Sequence, residues 1–157
     1  MTARNTGERY EDNAMMISTR GRYALRMLID MAEHDSGGYI PLKEVAERQE
    51  ISLKYLERIV PELTKAGLLE GLHGKGGGYR LTRAPEQYTV GELLRITEGD
   101  LAPVACLAQY AQPCSRASEC RTLPMWAEFS RITNEYFDHI TLTDFMRDSS
   151  SYDNYVI

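Results

Sequence analysis

The sequence contains no long apolar run and no secretory signal pattern. No uninterrupted apolar stretch in the chain approaches the roughly 20 residues that a membrane-spanning helix needs. The N-terminus lacks the basic segment followed by an apolar segment that marks an exported chain. The apolar fraction of 43% is ordinary for a protein with a single buried core. These absences argue against a helical membrane protein, and we expect a cytoplasmic location.

The motifs of catalysis are also missing. There is no nucleophile motif, no pair of catalytic carboxylates and no cofactor-binding loop, and the cysteines have no suitable histidine partner. The glycine-rich stretch at residues 71–76 contains a lysine, but it lacks the four-residue gap and the hydroxyl residue of a nucleotide-binding loop. It also does not begin a helix. The sequence therefore predicts that the protein is not an enzyme.

Cysteine is scarce, and its pattern matches neither a disulfide framework nor a zinc knuckle. Cys106, Cys114 and Cys120 are an odd number in a chain without an export signal, which argues against disulfides. Their spacing lacks the close pairs of zinc sites. Thiolates are soft ligands that suit iron–sulfur clusters, which normally have four protein ligands. Three cysteines in one aperiodic loop can supply three corners of a cluster; the alternative is that they are unrelated packing residues.

Basic residues are concentrated in one part of an acidic chain. The net charge is -5, yet residues 15–83 hold eleven basic and nine acidic side chains, whereas the remainder holds seven and fourteen. Between Lys65 and Arg83 there are four basic residues, and Glu70 is the one acidic residue. A distribution of this kind is typical of a protein that binds DNA with one face.

Two short helices are predicted between residues 41 and 67. Pro41 begins the first helix, and residues 49–51 join it to the second. Ser52 is the expected N-cap of the second helix and Gly67 its C-terminal glycine. Pro61 lies inside the second helix, where we expect a kink or a local break. The inner face of this helix recurs at spacings of three and four: Leu53, Leu56, Ile59, Val60 and Leu63.

A glycine-rich hairpin follows the second helix. Six of the twelve glycines fall between Gly67 and Gly78, and Leu68 and Leu69 are expected to pair with residues 79–81. The predicted fold class is mainly α with a small β-wing, a winged helix-turn-helix. Its second helix would enter the major groove, and the hairpin would reach the neighbouring backbone or minor groove. The candidate DNA-binding residues are Ser52, Lys54, Tyr55, Glu57 and Arg58 on the helix, His73 and Lys75 on the hairpin, and Arg20 and Arg22 near the N-terminus.

The remainder of the chain predicts one helix at each end of the DNA-binding domain and, beyond that domain, one long helix. Ser18 caps the first helix of the DNA-binding domain, and Thr89 caps its last helix in a capping box with Glu92. Pro124 begins the long helix, whose large side chains can pack on their own domain or, as we expect, on the same helix of a second subunit. That seam comprises Trp126, Phe129, Thr133, Tyr136 and Ile140. The predicted divisions are a disordered leader (1–14), the winged helix-turn-helix domain (15–100), the cysteine loop (101–121), a dimerisation helix (122–146) and a flexible tail (147–157).

Six short motifs together resemble one family of bacterial regulators. They are S-T-R-G-R-Y-A-L at residues 18–25, I-S-x-x-Y-L-E at 51–57, A-G-L at 66–68, G-G-G-Y at 76–79, V-G-E-L at 90–93 and I-T-L-x-D-F at 140–145. This set is similar to the Rrf2 family of winged-helix transcription regulators. The three cysteines followed by Trp126 resemble its iron–sulfur cluster regulator (IscR) branch, with CymR and NsrR as relatives.

The resemblance implies a homodimeric regulator, expected to be a repressor, that binds a palindromic operator. A cluster held by Cys106, Cys114 and Cys120 would alter the affinity for that DNA, and we expect 2Fe-2S rather than 4Fe-4S. Such a protein would sense iron–sulfur, redox or nitric oxide status. The alternative is a cluster-free repressor of cysteine or sulfur metabolism that is controlled by protein contact or thiol oxidation.

Three positions depart from the family pattern. Leu123 stands where the IscR branch has a histidine ligand, and Arg22 stands where the nitric oxide branch has an aspartate ligand. His73 occupies the place of a wing arginine that enters the minor groove in the family. Recognition of the minor groove would therefore be weaker here, or Lys75 would carry it out instead. The fourth cluster ligand is therefore unassigned, and its candidates are Glu119, Asp30 or Glu33 of a partner's first helix, or a small exogenous ligand.

The chain ends on an apolar residue, Ile157, with Tyr155 shortly before it. CymR-type relatives resemble it in this respect, and O-acetylserine sulfhydrylases capture C-termini that end in isoleucine. The resemblance therefore suggests such an enzyme as a further partner, through a nest for the carboxylate and a pocket for the last side chain.

Overall fold

The structure is a computed structural model that describes residues 17–146. Within that range the chain forms five α-helices and one two-stranded antiparallel sheet, so the predicted fold class, mainly α with a small β-wing, is confirmed. The predicted leader (1–14) and the whole predicted tail (147–157), including Tyr155 and Ile157, lie outside the described residues. The helices are α1 (Thr19–Glu33), α2 (Leu42–Gln49), α3 (Leu53–Lys65), α4 (Val90–Glu98) and α5 (Leu123–His139), and the strands are β1 (Leu69–Leu72) and β2 (Gly78–Leu81).

One apolar core joins the first three helices. Burial of a large aliphatic side chain stabilises a fold by about 1.5–3 kcal/mol, so this cluster fixes how α1, α2 and α3 pack. The buried Asp30 of α1 accepts hydrogen bonds from Arg48 and Gln49 of α2, which compensates its charge. The apolar side chains with no exposed surface are Ala24, Met27, Leu28, Val45, Leu56, Ile59 and Leu63.

A tight turn sets the start of α3 relative to α2. Glu50 has φ 53°, the one positive value for a residue other than glycine in the described range. The amide of Ile51 donates to the carbonyl of Ala46 at 3.0 Å, which closes the end of α2. Ser52 then caps α3, because its hydroxyl accepts from the Tyr55 amide at 3.1 Å. The predicted N-cap is therefore confirmed.

The exit of α3 follows a Schellman motif. The amide of Leu68 donates to the carbonyl of Leu63 at 2.9 Å, and the amide of Gly67 donates to Thr64 at 3.0 Å. Gly67 has φ 76°, as its predicted role requires. The local break expected at Pro61 is wrong, because α3 continues through that residue.

The wing is fastened to the segment before α2. Leu69 pairs with Leu81 and Leu72 with Gly78, so β1 extends three residues beyond the predicted Leu69. Ile40 adds an isolated bridge to Tyr79 through two backbone hydrogen bonds of 2.8 and 2.9 Å. A side chain at Gly78 would collide with the carbonyl of Ile40, which explains why glycine is needed there.

The second half of the domain packs α5 on α4. A small cluster of Val90, Leu94 and Leu101 is covered by the partly buried Phe137 and Ile140. The guanidinium of Arg95 on α4 donates to the carboxylate of Asp138 on α5 at 2.7 and 2.8 Å, and to Asn134 at 2.9 Å. Leu142–Phe145 adds one 3-10 turn. Among residues 17–146, no helix combines the length and the apolar character that crossing a membrane requires.

Candidate nucleic-acid interface and cysteine loop

The outward face of α3 carries charged side chains without partners. Lys54, Glu57 and Arg58 are exposed, and within residues 17–146 none of them makes an ion pair or a side-chain hydrogen bond. They lie opposite the buried side of the same helix, where Leu56, Ile59 and Leu63 have no exposed surface. The winged-helix geometry thus presents two cations and one carboxylate in a form that an external ligand can contact.

Several other arginines of the described chain are engaged in ion pairs. Arg48 pairs with Asp30, Arg95 with Asp138, and Arg131 with both Glu128 and Glu135. Arg83 pairs with Glu92, so only half of the predicted capping box forms: Thr89 caps the Glu92 amide, but the Glu92 carboxylate is held by Arg83. Lys54 and Arg58, by contrast, are among the exposed cations left for an outside anion, together with Lys65 of the same helix and Lys75 of the wing.

Two other candidate residues of α3 have roles inside the fold. The hydroxyl of Ser52 is the cap of the helix, which places it at the N-terminal end where backbone amides face outward. The ring of Tyr55 is half-buried and meets the ring of Tyr23 edge-on, with centroids 5.3 Å apart. Tyr55 is therefore only partly accessible to an external ligand.

The tip of the wing is a glycine-bounded turn that exposes Lys75. The amide of Gly77 donates to the carbonyl of Gly74 at 3.0 Å, and Gly76 has φ 75° at the third turn position. His73 and Lys75 are exposed, and within the described residues neither side chain has a hydrogen-bond or ion-pair partner. The structure therefore places both candidate wing residues at the tip.

The base of the wing carries a compact polar cluster. Arg80 on β2 donates two hydrogen bonds of 3.0 and 3.1 Å to Glu70 on β1, its cross-strand partner. Tyr39 donates to the same carboxylate at 2.9 Å, and the guanidinium of Arg80 stacks on the Tyr39 ring at 4.7 Å. The hydrogen bond from Arg80, followed by that from Tyr39, lowers the pKa of Glu70. The positive charge of Arg80 is consequently paired with Glu70 inside the wing.

The two arginines near the start of α1 differ in their contacts. Arg22 is exposed and donates only to the hydroxyl of Thr19 in its own helix, at 3.1 Å. Arg20 donates to Glu62 of α3 at 3.2 Å and also to the carbonyl of Thr97 in α4. Among the described residues, Arg22 therefore makes contact only within its own helix and stays exposed, whereas Arg20 is engaged with α3 and α4. The contact of Arg20 was not predictable from helical periodicity, because its partners are 42 and 77 residues away.

The cysteine loop is irregular between α4 and α5, apart from two 3-10 turns at Ala105–Leu107 and Ala117–Glu119. Cys106 and Cys114 are exposed, and Cys120 is partly exposed. No group of three or more histidine, cysteine, aspartate or glutamate side chains in residues 17–146 is close enough to hold a metal ion. The loop therefore supplies three accessible thiols, but in this structure the three do not lie close enough together to share a metal ion.

Cys120 differs from the other two cysteines in its surroundings. Its sulfur lies 3.6 Å from the hydroxyl of Thr122, just before the first turn of α5. That hydroxyl, together with the backbone amides of Thr122 and Leu123, lowers the pKa of the Cys120 thiol. A lowered pKa enlarges the thiolate fraction, which is the form that binds metals and reacts with oxidants.

The candidates for a fourth ligand are not equally accessible. Asp30 is 1% exposed and its oxygens already accept from Arg48 and Gln49, so it is unsuitable as a ligand for a partner's cluster. Glu119 and Glu33 are both exposed. An open cavity of about 240 Å³ lies between the start of the loop, α4 and α5, so the loop is not tightly packed against α5.

Comparison with known proteins adds independent information. A family model described as "Rrf2: Iron-dependent Transcriptional regulator" matches residues 17–148. Protein rrf2 of Nitratidesulfovibrio vulgaris is 38% identical over 136 residues, which are 87% of this chain and 90% of that protein. The HTH-type transcriptional regulator IscR of Aliivibrio salmonicida is 34% identical over 86% of this chain and 79% of its own length. The structure of CymR, the global cysteine regulator of B. subtilis, superposes with a TM-score of 0.66 at 34% identity, covering 83% of this chain and 95% of that one.

Proposed function

We propose, because this chain belongs to the Rrf2 family of transcriptional regulators, that it binds a palindromic operator as a homodimer and that an iron–sulfur cluster modulates this binding. The family consists of DNA-binding regulators and not of enzymes, so the predicted family and the prediction that the chain is not an enzyme are both confirmed. Operator symmetry, the homodimer and the cluster are the parts that we add as proposals.

The observation that carries the proposal is the unpaired charge on α3. A helix in the major groove reads bases with side chains that are free to rotate toward their edges, and Arg58 meets that condition. Its guanidinium would donate two hydrogen bonds to a guanine, while Lys54 and Arg22 would contact phosphates. Glu57 would accept from a cytosine amine or repel phosphate, which tunes the choice of operator. Lys75 would follow the backbone beside the groove.

The exposed apolar face of α5 supports a homodimer. Met125, Phe129, Ile132 and Tyr136 are 44–60% exposed and recur at spacings of four, three and four. A repeated apolar stripe on an exposed helix is typical of a helix that packs against another copy of itself. The seam expected from the sequence divides between two faces: Phe129 and Tyr136 are exposed, whereas Trp126, Thr133 and Ile140 are half-buried toward the domain.

The donor set of the cysteine loop fits an iron–sulfur cluster chemically. Cys106, Cys114 and Cys120 are accessible soft donors, and the lowered pKa of Cys120 favours the thiolate that ligates iron. They would hold three corners of a cluster, for which we propose the 2Fe-2S type, with Glu119 or a partner's Glu33 among the candidates for the fourth. When bound, the cluster would supply a redox-sensitive and nitric oxide-sensitive centre. The residues of the loop must first converge, because they are not gathered in this structure.

A second candidate function is a cluster-free repressor that responds to thiol oxidation or protein contact. The observation that favours it is the separation of the three thiols, together with the structural likeness to CymR. In that case Cys120, which is partly exposed and lies 3.6 Å from the Thr122 hydroxyl that lowers its thiol pKa, would be a candidate for the reacting thiol.

One experiment separates the two candidates. The chain is purified without oxygen, reconstituted with iron and sulfide, and examined by absorption spectroscopy and by titration with a duplex that it selects from a random library. We expect a brown chromophore and a shift in the duplex dissociation constant between the loaded and the metal-free protein. A colourless protein that still binds the selected duplex supports the cluster-free repressor. A chain that selects no duplex sequence contradicts both.

A further inference from the structure

Arg20 connects three helices through one side chain. Its guanidinium donates to the carboxylate of Glu62 on α3 at 3.2 Å and to the backbone carbonyl of Thr97 in the last turn of α4. The planar guanidinium holds several donors in a fixed fork, so it can engage both acceptors at once. A movement of either α3 or the end of α4 must therefore change the geometry of this contact.

On the α3 side, this contact is made by the carboxylate of Glu62. The second carboxylate oxygen of Glu62, Oε2, is buried and has no hydrogen-bond partner within residues 17–146. A carboxylate that keeps only one of its oxygens satisfied is sensitive to the loss of that single partner. The Glu62 side chain as a whole is 41% exposed, so the pair contributes little stability, and displacement of Arg20 removes a directional link between α1 and α3 rather than a large stabilising energy.

The end of α4 is held against α1 at a second point. Glu98 accepts hydrogen bonds from the amide and the hydroxyl of Ser18, at 3.2 and 2.8 Å. Gly21 allows this approach, because any side chain there would collide with the Glu98 carboxylate. The first turn of α1 is thus fixed to the last turn of α4.

The cysteine loop begins directly after this fixed point. Gly99 ends α4 with φ 85°, and the next residue, Asp100, accepts from the amides of Ala102 and Gln109, each at 2.8 Å. These two hydrogen bonds enclose the stretch that contains Cys106. A change at Cys106 is therefore linked by Asp100 and Gly99 to the last turn of α4, where Thr97 meets Arg20.

We propose that Arg20 is a positioning residue that couples the cysteine loop to the recognition helix, and not a contact to DNA phosphate. The inference rests on the proposed function in that α3 reads the operator and the loop is the sensing element. In this coupling, a rearrangement of the cysteine loop moves the end of α4. Arg20 contacts that end and transfers the movement to α3 through Glu62. Because linkage is reciprocal, DNA bound to α3 must also alter the loop.

The test measures amide hydrogen exchange in two directions, and one direction needs no DNA. In the first arm the three cysteines are alkylated with N-ethylmaleimide, and exchange is followed in α3. In the second arm the unmodified protein is saturated with its selected duplex, and exchange is followed in residues 100–121. For the wild-type chain we expect changes in both segments. Arg20→Met should abolish both changes while the protein stays folded, and Arg20→Lys should restore them in part because it keeps a charged donor.

The controls separate coupling from loss of charge. Arg131→Met removes the same charge from α5. Among residues 17–146, Arg131 pairs only with Glu128 and Glu135 of its own helix, so both responses should remain. Glu62→Gln should reproduce the effect of Arg20→Met, and the double variant should add nothing further. Equal responses in Arg20→Met and the wild type, or strictly additive effects in the double variant, would overturn the inference. A wild type that responds to alkylation but selects no duplex contradicts the proposed function while leaving the coupling supported.

Discussion

The hydroxyl of Tyr88 donates to the carbonyl of Leu68 at 2.8 Å, which ties the segment before α4 to the point where α3 passes into the wing. The same oxygen accepts from the amides of Thr82 and Arg83 at 2.8 and 3.1 Å. The Tyr88 side chain is 2% exposed, and Arg83 stacks on its ring at 4.6 Å. One hydroxyl therefore satisfies three backbone groups at both ends of the hairpin.

Replacement of this hydroxyl should destabilise the domain. Tyr88→Phe leaves a buried carbonyl and two amides without their partner, and we expect a loss of about 1–3 kcal/mol in the free energy of unfolding, measured by urea denaturation. Tyr110→Phe is the matched control, because Tyr110 is 88% exposed and should change the stability by less than about 0.5 kcal/mol. Equal stability of the two variants would show that the Tyr88 hydrogen bonds contribute nothing net.

Substitutions on α3 and on the wing should affect DNA binding differently. Arg58→Ala should weaken binding to the selected duplex by about 1–3 kcal/mol and relax the preference at one base pair per half-site. Lys75→Ala should weaken binding to all duplexes and reduce the slope of log affinity against log salt, since Lys75 would contact only phosphate.

Anisotropy titrations with the selected duplex and with single-base variants measure both effects. Arg131→Ala serves as the control, since it removes a cation from α5 rather than from α3 or the wing. If Arg58→Ala weakened binding equally for every duplex, Arg58 would be a phosphate contact and not a base reader.

Each cysteine of the loop should be dispensable for folding but required for the cluster. Because Cys106 and Cys114 are exposed and Cys120 is partly exposed, each Cys→Ala variant should keep the wild-type thermal unfolding midpoint of the metal-free protein. After anaerobic reconstitution, each should lack the brown chromophore of the wild type. A variant that retains full iron and sulfide content would exclude its cysteine from the ligand set.

The apolar face of α5 should determine the assembly state. Ile132→Glu places a charge in the exposed stripe, and we expect a monomer where the wild-type chain sediments as a dimer, since burial of an unpaired charge is unfavourable. Leu72→Glu is the matched control: Leu72 is 47% exposed and Ile132 is 52% exposed, but Leu72 lies on the wing. A wild type that remains monomeric at micromolar concentration would contradict the proposed homodimer.

The pair of Glu70 and Arg80 predicts a pH dependence of the wing. Arg80, and then Tyr39, lower the pKa of Glu70 from its ordinary value of 4.5. The folded pKa is below the unfolded one, so this interaction stabilises the wing above pH 4.5 and is lost as the pH falls through the folded pKa. In Arg80→Met the Glu70 pKa should rise toward 4.5, as measured by carboxyl carbon NMR titration. Lys75→Met removes a charge from the same wing and should leave the Glu70 pKa depressed.

Local signals in the sequence were sufficient to predict the helix ends. Ser18, Ser52 and Thr89 cap helices as expected, because an N-cap depends on a side chain and an amide only three residues apart. Gly67 ends α3 for the same local reason, since only its own backbone conformation is involved. The exposed side of α3 also followed from periodicity, which separates the buried side of a helix from the exposed one, except that Leu53, expected on the inner face, is 37% exposed.

Features that depend on contacts between distant segments were not predictable. Pro61 does not break α3, because the buried side chains around it, Ile59 and Leu63 among them, hold the helix against the core. The engagement of Arg20 depends on where α3 and α4 lie after folding, which periodicity does not encode. The α5 seam was predicted as one stripe, but packing of Phe137 and Ile140 on α4 turns Trp126 and Thr133 inward and leaves Phe129 and Tyr136 outward.

Three residues, 66–68, separate the last residue of α3 from the first residue of β1, and the Schellman hydrogen bonds fix their path. In the proposed complex, this short connection fixes the separation along the duplex between the bases under α3 and the flank under Lys75. Inserting a single base pair between these bases and the flank moves the flank by about 3.4 Å along the axis. The connection of residues 66–68 is too short and too constrained to lengthen by that distance. Binding should consequently be weakened far less by base substitutions in the flank than by insertions or deletions within a half-site.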